Sequence, residues 1–142
     1  MTRPTVSQQL VDSYVNTIYR IDTAPQPIYL RIDEFSPPLA LLLQETNRQS
    51  AAIISAYNPF SRQLFDAQNL QAHEQLRFYL RNHAYSFIEG RNIDPTGQWP
   101  IEKSFFVSSI DLNTAQALGC QFRQNAIVQI DSDAIPRLML LR

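Results

Sequence analysis

The chain is short of sulfur, glycine and lysine, and each shortage removes a class of explanation. A single cysteine, Cys120, finds no second thiol within the chain, so no internal disulfide braces the fold and packing must hold it. There are three glycines: Gly90, Gly97 and Gly119 match neither the dinucleotide nor the P-loop fingerprint. Two histidines, His73 and His83, join Cys120 as the whole supply of Cys and His ligands. A Cys/His zinc site takes about four N or S ligands, so none is expected, and no cofactor motif is found. Lys103 is the only lysine; beside Glu102 at a strand start, it is a poor Schiff-base candidate. Charge is balanced, with 12 basic against 13 acidic residues and a net charge of −1. That gives no whole-chain attraction to nucleic acid or to an anionic membrane. The longest apolar run, Leu39-Ala40-Leu41-Leu42-Leu43, is far too short to span a bilayer. Met1-Thr2-Arg3-Pro4 lacks the apolar stretch of a signal peptide, so the expected location is a reducing cytoplasm.

What is present suits a soluble globular chain. Hydrophobic residues make up 44% and charged residues 18%, enough apolar mass for a core. A length of 142 residues fits one domain. Nine prolines punctuate the chain, and 11 arginines carry nearly all its positive charge.

Periodicity divides the chain into elements. Val6, Leu10, Val11, Tyr14, Val15, Ile18 and Tyr19 form one helical stripe, capped at its start by Thr5 or Ser7. Pro25 and Pro27 end it, and 28–32 alternates as a short strand. Pro37-Pro38 opens a second helix reaching about Asn47. The run 51–57 reads as a buried strand stopped by Asn58-Pro59. A long helix follows over 64–83, with Phe65, Ala72, Leu76 and Leu80 as its core stripe. Strands are expected over 85–89 and 104–110. Asp111 caps a helix over 112–123, with Gly119 marking close packing. Strands over 126–130 and 137–141 finish the chain. Between them Asp131-Ser132-Asp133 supplies turn chemistry rather than a metal site.

From residue 51 the order is strand, helix, strand, strand, helix, strand, with one extra strand. This is the α+β order of a split βαβ, ferredoxin-like sheet with its helices on one face. Residues 1–50 become an N-terminal helix-strand-helix addition to a core over 51–142. In that topology two strands end where two others begin. Tyr57, Asn58, Ser61, Glu89, Arg91, Trp99, Glu102, Gln124 and Asn125 are then expected on one rim. Arg91 suits a carboxylate or phosphate. Asn58, Gln124 and Asn125 both donate and accept, and Tyr57 and Trp99 offer flat faces.

Several of these pieces carry a resemblance. Ala56-Tyr57-Asn58-Pro59-Phe60-Ser61, Asn69, Glu89-Gly90-Arg91, Trp99-Pro100, Ser104-Phe105, Leu118-Gly119 through Phe122, and Gln124-Asn125-Ala126 resemble the bacterial family catalogued as domain of unknown function 3293. The likeness runs from about Ala51 to Leu141. Similar proteins often carry glycine where this chain has Arg123. The resemblance implies one domain with these segments and names no reaction.

Three functional readings follow. The leading one is a non-enzymatic binding module whose rim holds a small polar ligand or a segment of a partner protein. The alternative is a hydrolase- or transferase-type enzyme using Glu89 and Glu102, with Arg91 or Tyr57 holding an oxygen; acid-base work needs two carboxylates in contrasting environments. The third is docking through Val6, Tyr14 and Ile18 of the first helix. Cys120 is expected as a buried small hydrophobe, and His73 and His83 as boundary residues.

Overall fold

Four consecutive residues, Ala51 to Ile54, are buried, so the strand they form needs cover on both faces. The computed structural model describes residues 5–46 and 50–142. Its elements are α1 (Gln8–Asn16), β1 (Ile18–Ile21), β2 (Ile28–Leu30), α2 (Pro37–Glu45), β3 (Ala51–Ile54), a 3₁₀ turn (Pro59–Ser61), α3 (Asp66–Asn82), β4 (Phe87–Ile93), β5 (Glu102–Ser108), α4 (Leu112–Gln121), β6 (Ala126–Ile130) and β7 (Pro136–Leu140). The fold is α+β, with one antiparallel seven-stranded sheet in the order β2-β1-β4-β5-β3-β6-β7.

The two faces have separate cores. On one, α3 and α4 cover Ala52, Ile54, Phe105, Val107 and Ile127 through Leu76, Leu80, Ala115 and Leu118. On the other, Leu39 and Leu43 of α2 meet Tyr19, Ile21, Leu30, Ile53, Phe106 and Val128. The helices of the 51–142 core thus share one face, and α2 of the N-terminal addition covers the other. The buried stripe of α3 is Asn69, His73, Leu76 and Leu80; Phe65, expected inside, precedes the helix with its ring in solvent, and its N donates to Gln68 Oε1. Serine and aspartate start three helices as their chemistry dictates. Ser7 accepts from Leu10 N, Ser36 from Leu39 N, and Asp111 from Thr114 N.

The N-terminal addition departs from expectation. Helix α1 stops at Asn16, and Ile18 and Tyr19 enter a strand. Tyr19 and Ile21 are buried while Ile18 and Arg20 face the other way. That two-residue period competes with the helical one, and pairing with both β2 and β4 decides it. The addition is thus helix, strand, strand, helix, and its strands extend the main sheet. The expected end of the second helix at Asn47 lies outside the described residues, as do residues 1–4.

Few glycines leave the turns to other residues. Arg123 takes a left-handed φ of 57° just beyond α4. Arg123 N donates to Cys120 O and Gln124 N to Gly119 O, a Schellman closure. Glycine suits that position best, since it alone adopts the left-handed region without a Cβ penalty. Ala84 closes α3 the same way at φ 58°. Two true glycines are needed for space. A Cβ on Gly90 would lie 2.2 Å from the Arg20 carbonyl oxygen of the neighbouring strand. One on Gly119 would meet Leu141 and Ile127 side chains at 2.6 and 2.8 Å, the close packing expected of that residue.

Candidate functional site

The loop after β3 builds the wall of a cleft. Asn58, Phe60 and Ser61 all have positive φ, at 46°, 54° and 59°. Non-glycine residues hold this conformation only where surrounding contacts fix it. Here they do. Asn58 N donates to Asn69 Oδ1 on α3 at 2.9 Å, and Asn58 Oδ1 accepts from Leu64 N and Asn69 Nδ2. Phe60 N donates to Arg123 O at 2.7 Å, tying the loop to the end of α4.

The cleft, about 100 Å³, opens between this loop, α1 and the α2-side face of the sheet. Its apolar part includes Leu10, Ile53, Val128 and Leu138, and its polar part includes Glu102, Asn92, Asp94 and Trp99. At one end Tyr14 of α1 hydrogen-bonds Ser61, and Asn125 Nδ2 donates to Tyr14 Oη (3.0 Å) and Ser61 Oγ (3.1 Å). Helix α1 has no buried residue, so this latch and its partly buried stripe hold it over the cleft. Gln124 Nε2 braces the wall by donating to Tyr57 O.

Glu102 is the chemical centre. Its Oε2 accepts from Asn58 Nδ2 at 2.8 Å and from Trp99 Nε1 at 3.1 Å. Its Oε1 has no hydrogen-bond partner among the described residues. Burial pushes the carboxyl above the usual carboxylate range, against the pull of those two donors. Opposite Glu102 on β4 stands Asn92, whose buried Oδ1 also lacks a partner. Burial, with the Asp66 and Glu102 charges behind it, raises the Tyr57 phenol. Asp94 is held low by the Thr96 hydroxyl and amide, and its other oxygen accepts from Trp99 N, which fixes the tryptophan loop.

Seven of the nine expected rim residues line this cleft: Tyr57, Asn58, Ser61, Trp99, Glu102, Gln124 and Asn125. Glu89 and Arg91 do not. Strand β4 runs to Ile93 instead of stopping at Glu89, which sets both residues mid-strand. Alternation then points them to the α3-side face, in register with Phe105 and Lys103, while Asn92 faces the cleft. Glu89 pairs with Arg77 at 2.7 Å, which lowers its carboxyl below the usual range. A Glu89/Glu102 acid-base pair therefore does not form, since the sheet separates the two groups. Arg91 cannot clamp an anion beside Asn58.

Three other expectations change. His73 is buried, stacked on Phe105 at 4.3 Å and edge-on to Tyr57 at 5.9 Å. Burial, then the Arg77 charge, lowers its pKa against the opposing pull of Glu89, whose Oε1 lies 3.7 Å from Nε2. Cys120 is exposed on the outer side of α4. Val6, Tyr14 and Ile18 are partly buried, so they offer no open apolar face. Sequence reading missed Tyr14, Asn92 and Asp94 as cleft residues. Reading the strand alternation on to residue 93 would have found Asn92; Tyr14 looked like an ordinary member of a core stripe.

A family model described as "Protein of unknown function (DUF3293)" matches residues 54–127, a little over half of the chain. All nine rim residues fall within the match; Tyr14 and the rest of α1 fall outside it. No curated protein and no solved structure matches the chain. Among the described residues, no helix is long and apolar enough to cross a membrane.

Proposed function

The chain belongs to the DUF3293 family, whose description names no activity, and from that premise we propose that it is a non-enzymatic binding module whose cleft holds a small polar ligand. The observation that carries this is Asn92 Oδ1, buried and without a partner among the described residues, opposite Glu102, whose two donors both sit on Oε2, at a cleft with an apolar wall. Buried acceptors without partners are uncommon, and a bound ligand satisfies them. The strained loop at Asn58, Phe60 and Ser61 supports the same reading, because strain of this kind collects at ligand clamps.

The test is a thermal-shift screen of polar metabolites on the wild type, Arg91→Ala and Glu102→Gln. A ligand that binds only the native state raises its apparent stability. Hits should persist in Arg91→Ala, whose side chain is on the other face, and weaken in Glu102→Gln. Hits that ignore Glu102→Gln and vanish in Arg91→Ala would move the site to the opposite face.

A second reading keeps an enzyme, now with Glu102 alone as acid or base. Its raised carboxyl in a cleft beside Tyr57 favours it. Turnover of a screening hit, lost in Glu102→Gln, would replace the binding reading.

The inner strand order β4-β5-β3-β6, with α3 and α4 on one face, supports reading 51–130 as a split βαβ unit. The exposed, unpaired thiol of Cys120 supports a reducing, cytoplasmic location.

A further inference from the structure

We propose that the ligand of this cleft is a small organic ammonium with an apolar body. The inference rests on reading the cleft as a binding site and names the chemistry that the site selects.

The electrostatics of the walls come first. Among the described residues no lysine, arginine or histidine lines the cleft, whereas Glu102 and Asp94 both do. Arg142, which donates to the cleft residue Asn125 at its Oδ1, also lies over the Phe60 ring at 3.8 Å, so it is already engaged. Lys103 and Arg91 are on the far face of the sheet. An anionic ligand would therefore meet carboxylates with no counter-charge.

Hydrogen bonding gives the second argument. Among the described residues both donors to Glu102 converge on Oε2 and none reaches Oε1, and the buried Asn92 Oδ1, on the β4 residue paired with Glu102, has no partner. An ammonium carries up to three N–H donors and no acceptor, matching two adjacent acceptors. A buried carboxylate without a cation is costly, and an ammonium supplies the missing charge. Among the described residues the groups facing Glu102 are Asn58, Asn92, Trp99, Tyr57, Tyr19 and Asp94; none is cationic.

Shape gives the third. Tyr14, Tyr19, Tyr57 and Trp99 line the cleft, and aromatic rings attract cations. Leu10, Ile53, Val128 and Leu138 supply a surface for a hydrocarbon body.

Trp99 is the only tryptophan, and its indole N–H donates directly to Glu102. Its indole NMR signal therefore reports on the site alone. We would titrate the full chain with benzylamine, benzyl alcohol and benzoate, which share a ring and differ in the head group. Benzylamine should shift the Trp99 signal saturably, with the other two about tenfold weaker or more, as expected for one charge-assisted contact. Glu102→Gln should reduce benzylamine binding by about the same factor while the fold, followed by circular dichroism, is kept. Asn92→Ala is the second variant and should weaken benzylamine several-fold if Glu102→Gln does not fold. Benzyl alcohol or benzoate binding as tightly as benzylamine overturns the ammonium and leaves the cleft as a binding site. Silence from all three probes overturns the ammonium as well. If a broad fragment set is equally silent at Trp99, the cleft reading fails with it.

Discussion

Replacing Asn58 by alanine should cost about 4 kcal/mol of stability, a large share of the roughly 5–15 kcal/mol typical of a domain. The figure is built from what Asn58 touches. Its Oδ1 satisfies the buried Asn69 Nδ2 at 2.8 Å and Leu64 N at 2.9 Å, and its Nδ2 donates to Glu102 at 2.8 Å. Stranding the Asn69 amide costs about 2 kcal/mol, and losing the other two bonds, where water can enter, adds about 1 kcal/mol together. Alanine also tolerates the left-handed φ of 46° less well than asparagine, adding about 1 kcal/mol. Asn58→Gly separates these contributions, because it keeps the backbone freedom and loses only the side-chain bonds. It should cost about 3 kcal/mol. Urea unfolding of the three proteins measures this, with midpoints moving at unchanged slope. A loss below about 1.5 kcal/mol in Asn58→Ala would refute the claim that this network holds the loop. A glycine variant no better than alanine would refute the backbone part.

Three further predictions follow from single features. Glu102 has a folded pKa above its unfolded value, so its contribution is full below the ordinary carboxylate range and is lost as pH rises through the raised value. Chemical denaturation across mildly acidic to neutral pH should therefore show a decline that Glu102→Gln flattens; an equal decline in both proteins would assign it elsewhere. Arg123→Gly should stabilise the chain by about 1 kcal/mol by relieving the left-handed strain after α4, read as a higher denaturation midpoint; no gain would mean the arginine side chain offsets the strain. Gly90→Ala drives a methyl into the Arg20 carbonyl and should destabilise by about 2 kcal/mol or more, seen as a lower Tm; a neutral result would show that β1 and β4 can move apart.

The parts of the fold legible in the sequence are those whose local signal agrees with the tertiary one. Asp111 and Ser7 cap where their side chains dictate, and the buried run before Asn58-Pro59 is a central strand. Ile18 and Tyr19 misled because apolar residues there satisfy a helical period and an alternating one, and only the partner strands β2 and β4 choose. Chain direction alone brings Asn58, Glu102, Gln124 and Asn125 to one rim, and all four line the cleft. Glu89 and Arg91 were not, since direction does not give the strand's length, and side-chain facing depends on it. Tyr14 reaches the site from a helix far away in the chain, a contact that no local pattern announces. His73 carries no sequence mark of burial; its ring stacks on Phe105 and lies edge-on to Tyr57, with Nε2 3.7 Å from Glu89 Oε1.

The most direct measurement is an amide-resolved NMR fragment screen of the wild-type chain, scored by which signals move. The account predicts that hits perturb the Trp99 indole and the side-chain amides of Asn58, Asn92 and Asn125 together, leaving Arg91 and Lys103 still. Hits that cluster on Arg91, Lys103 and Glu89 while the Trp99 indole stays fixed would contradict it.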